Sequence, residues 1–385
     1  MLKQSHAISE DLIEWRRDFH MHPEIGFELH RTSKIVADEL EKMGYRVKRN
    51  VGKSGVVADI GEGGKMVAIR ADMDALPILE MNESEYVSQN NGAMHACGHD
   101  SHTAMALGAA LLLSKEKLLG RVRFLFQPCE ETVDEEGKSG AQRMSDEGAM
   151  QGVDFVIAQH VDPSKPVGTI SISAGPSSGG VDSWHAIIRG KGGHGAHPDK
   201  TIDPFYLTAH VIIALNAIIS RRINPFEPAV VSIGSINGGF AENVIPEEVK
   251  ITGTLRFTDE AVHQKIYAEI KRAFEIVKAL GGDYELRYDV GGPPMINDEF
   301  VSEMIESVGK DLLGAENVVE IEKTLGAEDF GEFMKHAPGA MYTLGTQKAG
   351  HEDYLLHHPK FDIDERAMPI GTAMLAETAK RFLSR

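Results

Sequence analysis

The sequence predicts an α/β protein: a mixed, mostly parallel sheet covered by helices on both faces, with a ferredoxin-like βαββαβ domain inserted into it. Three observations carry this. Up to His160, short apolar strands alternate with helical periods, the pattern of a covered sheet. From 183 to 290 the rhythm becomes strand, helix, strand, strand, helix, strand, the split βαββαβ order. Gly- and Pro-rich joints, AGPSSGG (174–180) and GGPP (291–294), flank that stretch. The expected organisation is one domain built from 1–182 and 292–385 and a second, inserted domain over 183–291.

Taken in order, Ile8–Met21 and Thr32–Met43 read as amphipathic helices. Gly55–Ile60 and Met66–Arg70 read as strands around the turn GEGGK, a predicted hairpin. A helix opens near Asp100, with Ser101 and Thr103 beside it, and continues through the apolar run Ala104–Leu113, which marks it as buried. Arg121–Gln127 alternates as a strand, and Val153–Gln159 is a third apolar strand. In the inserted stretch, Ser183–Arg189, Ala229–Ile236, Val249–Phe257 and Asp283–Val290 read as strands. Asp203–Arg222, with Pro204 near its first turn, and Asp259–Leu280 read as helices. Met341–Leu344 is a strand of the returning first domain.

Composition narrows the function. The length of 385 residues suits two or three domains of roughly 150 residues. Such a chain folds without a disulfide or a structural metal. The 42% hydrophobic and 25% charged fractions are those of a soluble globular enzyme. The net charge of −18 argues against nucleic acid and anionic membrane as partners, since both require a basic face. Cys97 and Cys129 are too few for a disulfide scaffold and fit a reducing compartment. The N-terminus lacks the apolar core of a signal peptide. The longest apolar stretch, Val211–Ile219, is interrupted by Asn216 and is too short to span a bilayer. The expected location is cytoplasmic.

The chemistry gathers at strand ends, where ligands bind in open α/β sheets. MVAIR is followed by Asp72 and Asp74, RVRFLFQ by Cys129, Glu130 and Glu131, and VDFVIAQ by His160. His95, Cys97, His99 and His102 precede or open the buried helix, and His357-His358-Pro359 follows a strand. Their convergence on one sheet edge would form a metal site. Thiolate, imidazole and carboxylate together suit zinc, with manganese or cobalt as alternatives. Amide hydrolysis at neutral pH is served by two metals roughly 3.5–4 Å apart that share a water, lower its pKa and polarise the carbonyl. A carboxylate that is not a ligand then moves the proton. Glu130 and Glu131 can divide these roles, and spacing alone does not say how.

Plainer readings compete. Cys97, His99 and His102 could form a closed structural zinc corner with Cys129, a site that needs no Glu pair. Asp72 and Asp74 are turn formers or partners of ligand imidazoles. The run Asp134–Glu136 reads as a solvated loop. GEGGK lies between two strands and is no dinucleotide fingerprint. Pro128-Cys129 lacks the second cysteine of a zinc deaminase.

RRDFHMHPEIGFE (16–28), RADMDALP (70–77), MHACGHDSHTAMALGAA (94–110), FQPCEE (126–131), GKGGHGAHP (190–198), ENVIP (242–246), GTLRF (253–257), GAEDF (326–330) and LHHPKFD (356–362) stand in order. Together they resemble the metal-dependent amidohydrolase/aminoacylase/carboxypeptidase family, in its branch of hippurate and auxin-conjugate hydrolases. The likeness runs nearly end to end. It implies two divalent ions per chain, held by Cys97, His99, Glu131, His160 and His357. It implies Glu130 as general base and later proton donor. The inserted domain would be a lid and dimerisation element, whose His194 reaches an active site, often the partner subunit's. Asn243 and Arg256 would bind substrate, Arg256 being suited to a carboxylate.

The implied reaction is hydrolysis of the amide bond of N-acyl amino acids by Glu-assisted attack of a metal-bridging hydroxide. The alternatives are a metal-dependent carboxypeptidase or dipeptidase acting on small peptides, and a non-catalytic dimeric binding protein. The expected partners are the small substrate and further copies of the chain, as a homodimer or higher oligomer. Three features depart from the family pattern. Cys129 stands where a small residue is usual. TVDEEGKSG (132–140) is longer and more acidic. His358 replaces a common Ser or Asn, which leaves His357 and His358 both open as the ligand.

Overall fold

The structure, a computed structural model, describes residues 1–384. The chain forms two compact units. One comprises Met1–Ser177, Ile296–Glu322 and the described residues from Asp329 onward; the other comprises Ser178–Met295 with Lys323–Glu328.

The first unit opens with helices α1 (Leu2–His6), α2 (Ser9–Met21) and α3 (His30–Lys42) and strands β1 (Arg46–Val51), β2 (Gly55–Gly61) and β3 (Met66–Asp72). Next come α4 (His99–Leu113), β4 (Arg121–Gln127), α5 (Gly140–Asp146), β5 (Phe155–Asp162), β6 (Ile170–Ser171) and β7 (Gly175–Ser178). The second unit holds β8 (Gly180–Arg189), β9 (Gly193–His194), α6 (Pro204–Arg222), β10 (Ala229–Gly238), β11 (Val244–Ile245), β12 (Glu248–Phe257), α7 (Glu260–Ala279) and β13 (Asp283–Val290). The chain returns through β14 (Met295–Asn297), α8 (Glu299–Leu313), β15 (Val318–Val319), α9 (Gly331–Met334), β16 (Gly339–Gly345) and α10 (Met368–Leu383).

The large sheet has eight strands in the order β1-β2-β4-β3-β5-β16-β6-β15. Its middle, β4-β3-β5-β16, is parallel throughout. Every residue of β3 is buried, as expected of a strand covered on both faces. The apolar helix α4 is buried along nearly its whole length and packs against β3, α2 and α10.

The predicted hairpin does not form. β4 lies between the two strands, antiparallel to β2 and parallel to β3. Its approach wedges into the GEGGK turn: Arg121 N–H donates to Lys65 O at 2.8 Å. Gly61, at φ 85°, faces Gly120 O so closely that a Cβ would lie 2.1 Å from it. The hairpin partner of β2 is instead β1, a strand the sequence reading left unassigned, with Arg46 opposite Asp59. Period-2 alternation identifies strands but not their neighbours, and the more apolar β4 takes the central place.

The second unit is a four-stranded antiparallel sheet, β10-β12-β8-β13, the ferredoxin-like order. Trp184, Ile188, Ile251 and Leu255 of the sheet pack with Val211 and Leu215 of α6 and Ile266 and Phe274 of α7. Asp203 caps α6 through Phe205 N–H at 2.8 Å, with Pro204 at the first helical position. By length and composition the whole of α6 meets the test for a membrane-crossing helix, which its apolar stretch alone does not. Its buried stripe of Leu207, Val211, Leu215 and Ile218 is the packed face of a helix lying on a sheet.

Gly61→Ala places a side chain at a positive φ and against Gly120. It should lower the unfolding free energy by more than about 1 kcal/mol, read as a fall in the urea midpoint.

Candidate metal centre

The parallel strands β4, β3, β5 and β16 end on one edge of the large sheet, and the sequence loads that edge with donors. Asp72 closes β3, Glu130 and Glu131 follow β4, and His160 lies near the end of β5. The chain beyond β16 carries His357. Cys97 and His99 flank Gly98, whose φ of 87° turns the chain into α4 where a Cβ would strike Val161. Cys129 (φ 51°) and His357 (φ 66°) also adopt the left-handed conformation. Such strain persists where the surrounding structure imposes it, often at functional sites.

Of the groups that could hold a metal ion, three are made wholly of residues expected at the centre, and Asp72, His99 and His102 form another. Cys97, His99 and His160 present ligand atoms that all lie within 4.8 Å of one another. Cys97, Glu131 and His357 do the same, as do His99, Glu130 and Glu131. Cys97 Sγ is 3.5 Å from His160 Nε2, and Glu131 Oε1 is 3.3 Å from His357 Nε2. The structure therefore gathers all six residues expected at the chemical centre. Of the two neighbouring histidines, it is His357 that faces the group. His358 stacks on Tyr354 at 4.7 Å, and its Nδ1 accepts the Lys360 N–H.

Hydrogen bonds set the imidazole tautomers. His99 Nδ1 lies 2.9 Å from Asp74 O and His160 Nδ1 lies 2.8 Å from Val161 O. Each Nδ1 is thus a donor to a carbonyl, which leaves the Nε2 lone pair for a ligand. His99 Nε2 and Glu131 Oε1 are buried with no hydrogen-bond partner. Burial also pushes the Cys97 thiol well above its usual range. Burial opposes charge on His99, yet Asp72 and Cys97 hold its proton well above the ordinary histidine value. A divalent cation would replace these protons and satisfy the orphaned atoms, so the donor set fits a metal.

The surroundings hold the donors in place, and Asp74 does the most. Its carboxylate accepts the backbone N–H groups of Glu130 (3.0 Å) and Glu131 (3.2 Å), while its carbonyl orients His99. The spacing of RADMDALP after a strand is the only sequence signal of this role. Asp72 accepts from His102 Nδ1 at 2.6 Å and from Arg70 at 2.6 Å. His102 Nε2 accepts the Val161 N–H, so both of its ring nitrogens are spent and the closed zinc corner does not assemble. Cys129 joins none of the metal-capable groups among the described residues; its Sγ contacts Thr132 O at 3.3 Å. The run 134–136 is not simply a solvated loop. The side chain of Asp134 is enclosed between Lys53 (2.7 Å) and Arg143 (2.6 Å), while Glu135 and Glu136 are exposed.

The second unit carries the other three expected site residues. β9 pairs with β11, placing His194 opposite Val244, and Gly195 N–H donates to Asn243 O at 2.8 Å. His194 and Asn243 are therefore neighbours on one exposed ribbon. Nδ1 of His194 accepts the Ala196 N–H at 3.0 Å, which puts the proton of the neutral ring on Nε2. Arg256 is elsewhere. The ribbon continues from the Glu248 end of β12, and Arg256 lies beside the Phe257 end, about 25 Å away at ~3.3 Å per residue. The structure does not bring Arg256 together with His194 and Asn243.

Thiol, imidazole and carboxylate donors at the carboxyl edge of a parallel sheet, with an adjacent glutamate pair, define the site of a metal-dependent hydrolase. The family model described as peptidase family M20/M25/M40 matches residues 68–381, and the chain belongs to that family. It is an enzyme, a metal-dependent hydrolase of amide or peptide bonds, which removes the non-catalytic reading. N-acetyl-L-cysteine deacetylase of Bacillus subtilis is 38% identical over 98% of this chain and 89% of its own length. Thermostable carboxypeptidase 1 of Saccharolobus solfataricus is 39% identical over 97% of this chain and 96% of its own. The crystal structure of Bacillus subtilis YXEP, described as a dinuclear metal-binding peptidase, superposes with a TM-score of 0.86. It is 33% identical, covering 98% of this chain and 99% of that one.

Zinc binding to the metal-free protein should release protons, measurable as a buffer-dependent heat in calorimetry. Cys97→Ala should release fewer protons and retain less metal by elemental analysis. Unchanged metal content would remove Cys97 from the ligand set.

Proposed function

We propose that this chain hydrolyses the amide bond of N-acyl amino acids, using two divalent ions of zinc, manganese or cobalt. The observation that carries this reading is the pair of donor groups, Cys97/His99/His160 and Cys97/Glu131/His357, that share one thiol and adjoin Glu130. The dinuclear relative and the deacetylase support it. Bound cations would supply Lewis acidity, lowering the pKa of a water and polarising the scissile carbonyl.

The chain's own residues do the rest. Glu130 takes a proton from the attacking water and returns it to the leaving nitrogen. Glu131 stays ionised: although burial opposes its charge, His357 and His99 lower its pKa. His194, with its proton on Nε2, donates to the oxyanion, and Asn243 binds the amide beside it. Arg256 receives the substrate carboxylate. Its recorded hydrogen bonds are to Thr254 Oγ1 and Leu255 O, and among the described residues it has no ion-pair partner.

Because the His194 ribbon and Arg256 lie at opposite ends of β12, a small substrate that meets both needs a second copy. The exposed Phe205, Tyr206 and Ile213 of α6 and the open edge of β10 suit such a homodimer. The free thiols of Cys97 and Cys129 fit a reducing cytoplasm. The carboxypeptidase relative favours a second reading, cleavage of short peptides. A panel of N-acetyl and N-benzoyl amino acids and dipeptides, run with each metal, separates the two.

Glu130→Gln should keep its metal and lose about 10²–10⁴-fold in kcat. Normal turnover in that variant would reverse the assignment. Mixing Glu130→Gln with His194→Ala under subunit exchange should restore about a quarter of wild-type activity, since half the dimers would be mixed with one intact site each. An exchanged mixture that stays inactive would place His194 in its own chain's site.

A further inference from the structure

Outside the donor cluster lies a buried charge network with no part in the chemistry above. Its centre is Arg16 of α2, which is wholly buried. The guanidinium donates from Nε to Asp100 at 2.9 Å, from Nη2 to Asp362 at 2.6 Å and from Nη1 to Glu365 at 3.2 Å. The Tyr86 ring covers it at 4.8 Å. Each carboxylate is tied further. Asp100 meets His20 Nδ1 at 2.8 Å, and His20 Nε2 meets Glu80 at 3.1 Å. Asp362 accepts from the Tyr86 hydroxyl at 2.8 Å and from Lys348.

The positions of these two aspartates matter more than their number of bonds. Asp100 follows His99 directly in the first turn of α4, and Asp362 lies five residues beyond His357. Arg16 therefore joins the segment that carries Cys97 and His99 to the segment that carries His357. Backbone bonds run the same way: His357 N–H donates to Ala96 O at 2.8 Å and Met81 N–H to Pro359 O at 2.8 Å. Asn82 Nδ2 donates to Phe361 O at 2.9 Å. Beyond His357 the segment is also anchored by Phe361 and Ile363, which are buried in the main core, and by Asp364 N–H donating to Thr346 O at 2.9 Å, but Arg16 is the group that ties it to Asp100. His357 is half exposed and sits at a positive φ, a conformation its own backbone does not favour.

We propose that Arg16 and its Asp362–Tyr86–Lys348 partners are positioning residues that set the gap between Cys97/His99 and His357. They thereby fix the affinity of the metal group to which His357 belongs. This rests on the two-ion reading above. A planar fork that reaches two carboxylates at once holds a fixed distance between them, which a lysine ammonium does not. Residues behind the ligands typically change metal affinity 10–100-fold when altered.

The test is competition titration of the metal-free full chain with zinc against a chromophoric chelator, resolving two binding steps. Arg16→Lys and Tyr86→Phe should each weaken one step tenfold or more and leave the other near wild type. Lys348→Met, a change at a part-exposed residue, should weaken the same step and guards against failure of Arg16→Lys to fold. Thermal unfolding of the metal-free proteins is the control. Variants that lose stability without metal but bind both ions as wild type does would overturn the proposal, leaving the network merely structural. A wild-type chain that shows no second binding step would overturn the two-ion reading and this proposal together.

Discussion

Parallel pairing of β4, β3, β5 and β16 is the constraint on which the rest of the larger unit depends. It makes four strand ends coincide, so that residues from 72, 130, 160 and 357 reach one small volume. Each strand contributes one or two donors, and none holds a complete site. The Gly98 turn adds the thiol and imidazole that lie between them. A hairpin between β2 and β3, as local pattern suggests, would leave β4 without its central place and carry Glu130 and Glu131 away from His99.

Electrostatics then decide which of many polar side chains remain available. Around the centre nearly every buried polar group is spent on another. His102 bridges Asp72 and a backbone N–H; Arg70 binds Asp72, Gln127 and Asp329. Asp74 holds the amides of the glutamate pair. Against that background His99 Nε2 and Glu131 Oε1, buried without a hydrogen bond, fit the donor atoms of a metal group. Farther out, Arg16 and Lys348 face the carboxylates of Asp100 and Asp362. Burial works against ionising Asp362, yet Arg16 and Lys348 hold its pKa far below the usual carboxylate value.

The smaller unit follows a separate logic. Its sheet separates the exposed His194–Asn243 ribbon from the half-buried Arg256 guanidinium by the length of β12. In the proposed homodimer each copy would offer one end of that length to one substrate. The apolar outer face of α6 and the edge strand β10 are the surfaces that the proposed homodimer would cover.

Much of this was legible in the residues alone. The βαββαβ order, the buried character of α4, the strand Arg121–Gln127 and the donors after each strand follow from periodicity and residue type, which are properties of near neighbours in the chain. The ordered motifs alone identify the family. Other features belong to the tertiary structure: the place of β4 between β2 and β3, the choice of His357 over His358, the retirement of His102, the enclosure of the Asp134 side chain and the task of Asp74. Each depends on what a group meets elsewhere in the fold, from Asp72 thirty residues before His102 to His357 far beyond Glu131. Spacing along a chain does not encode which lone pair is already taken, and only the folded packing decides that.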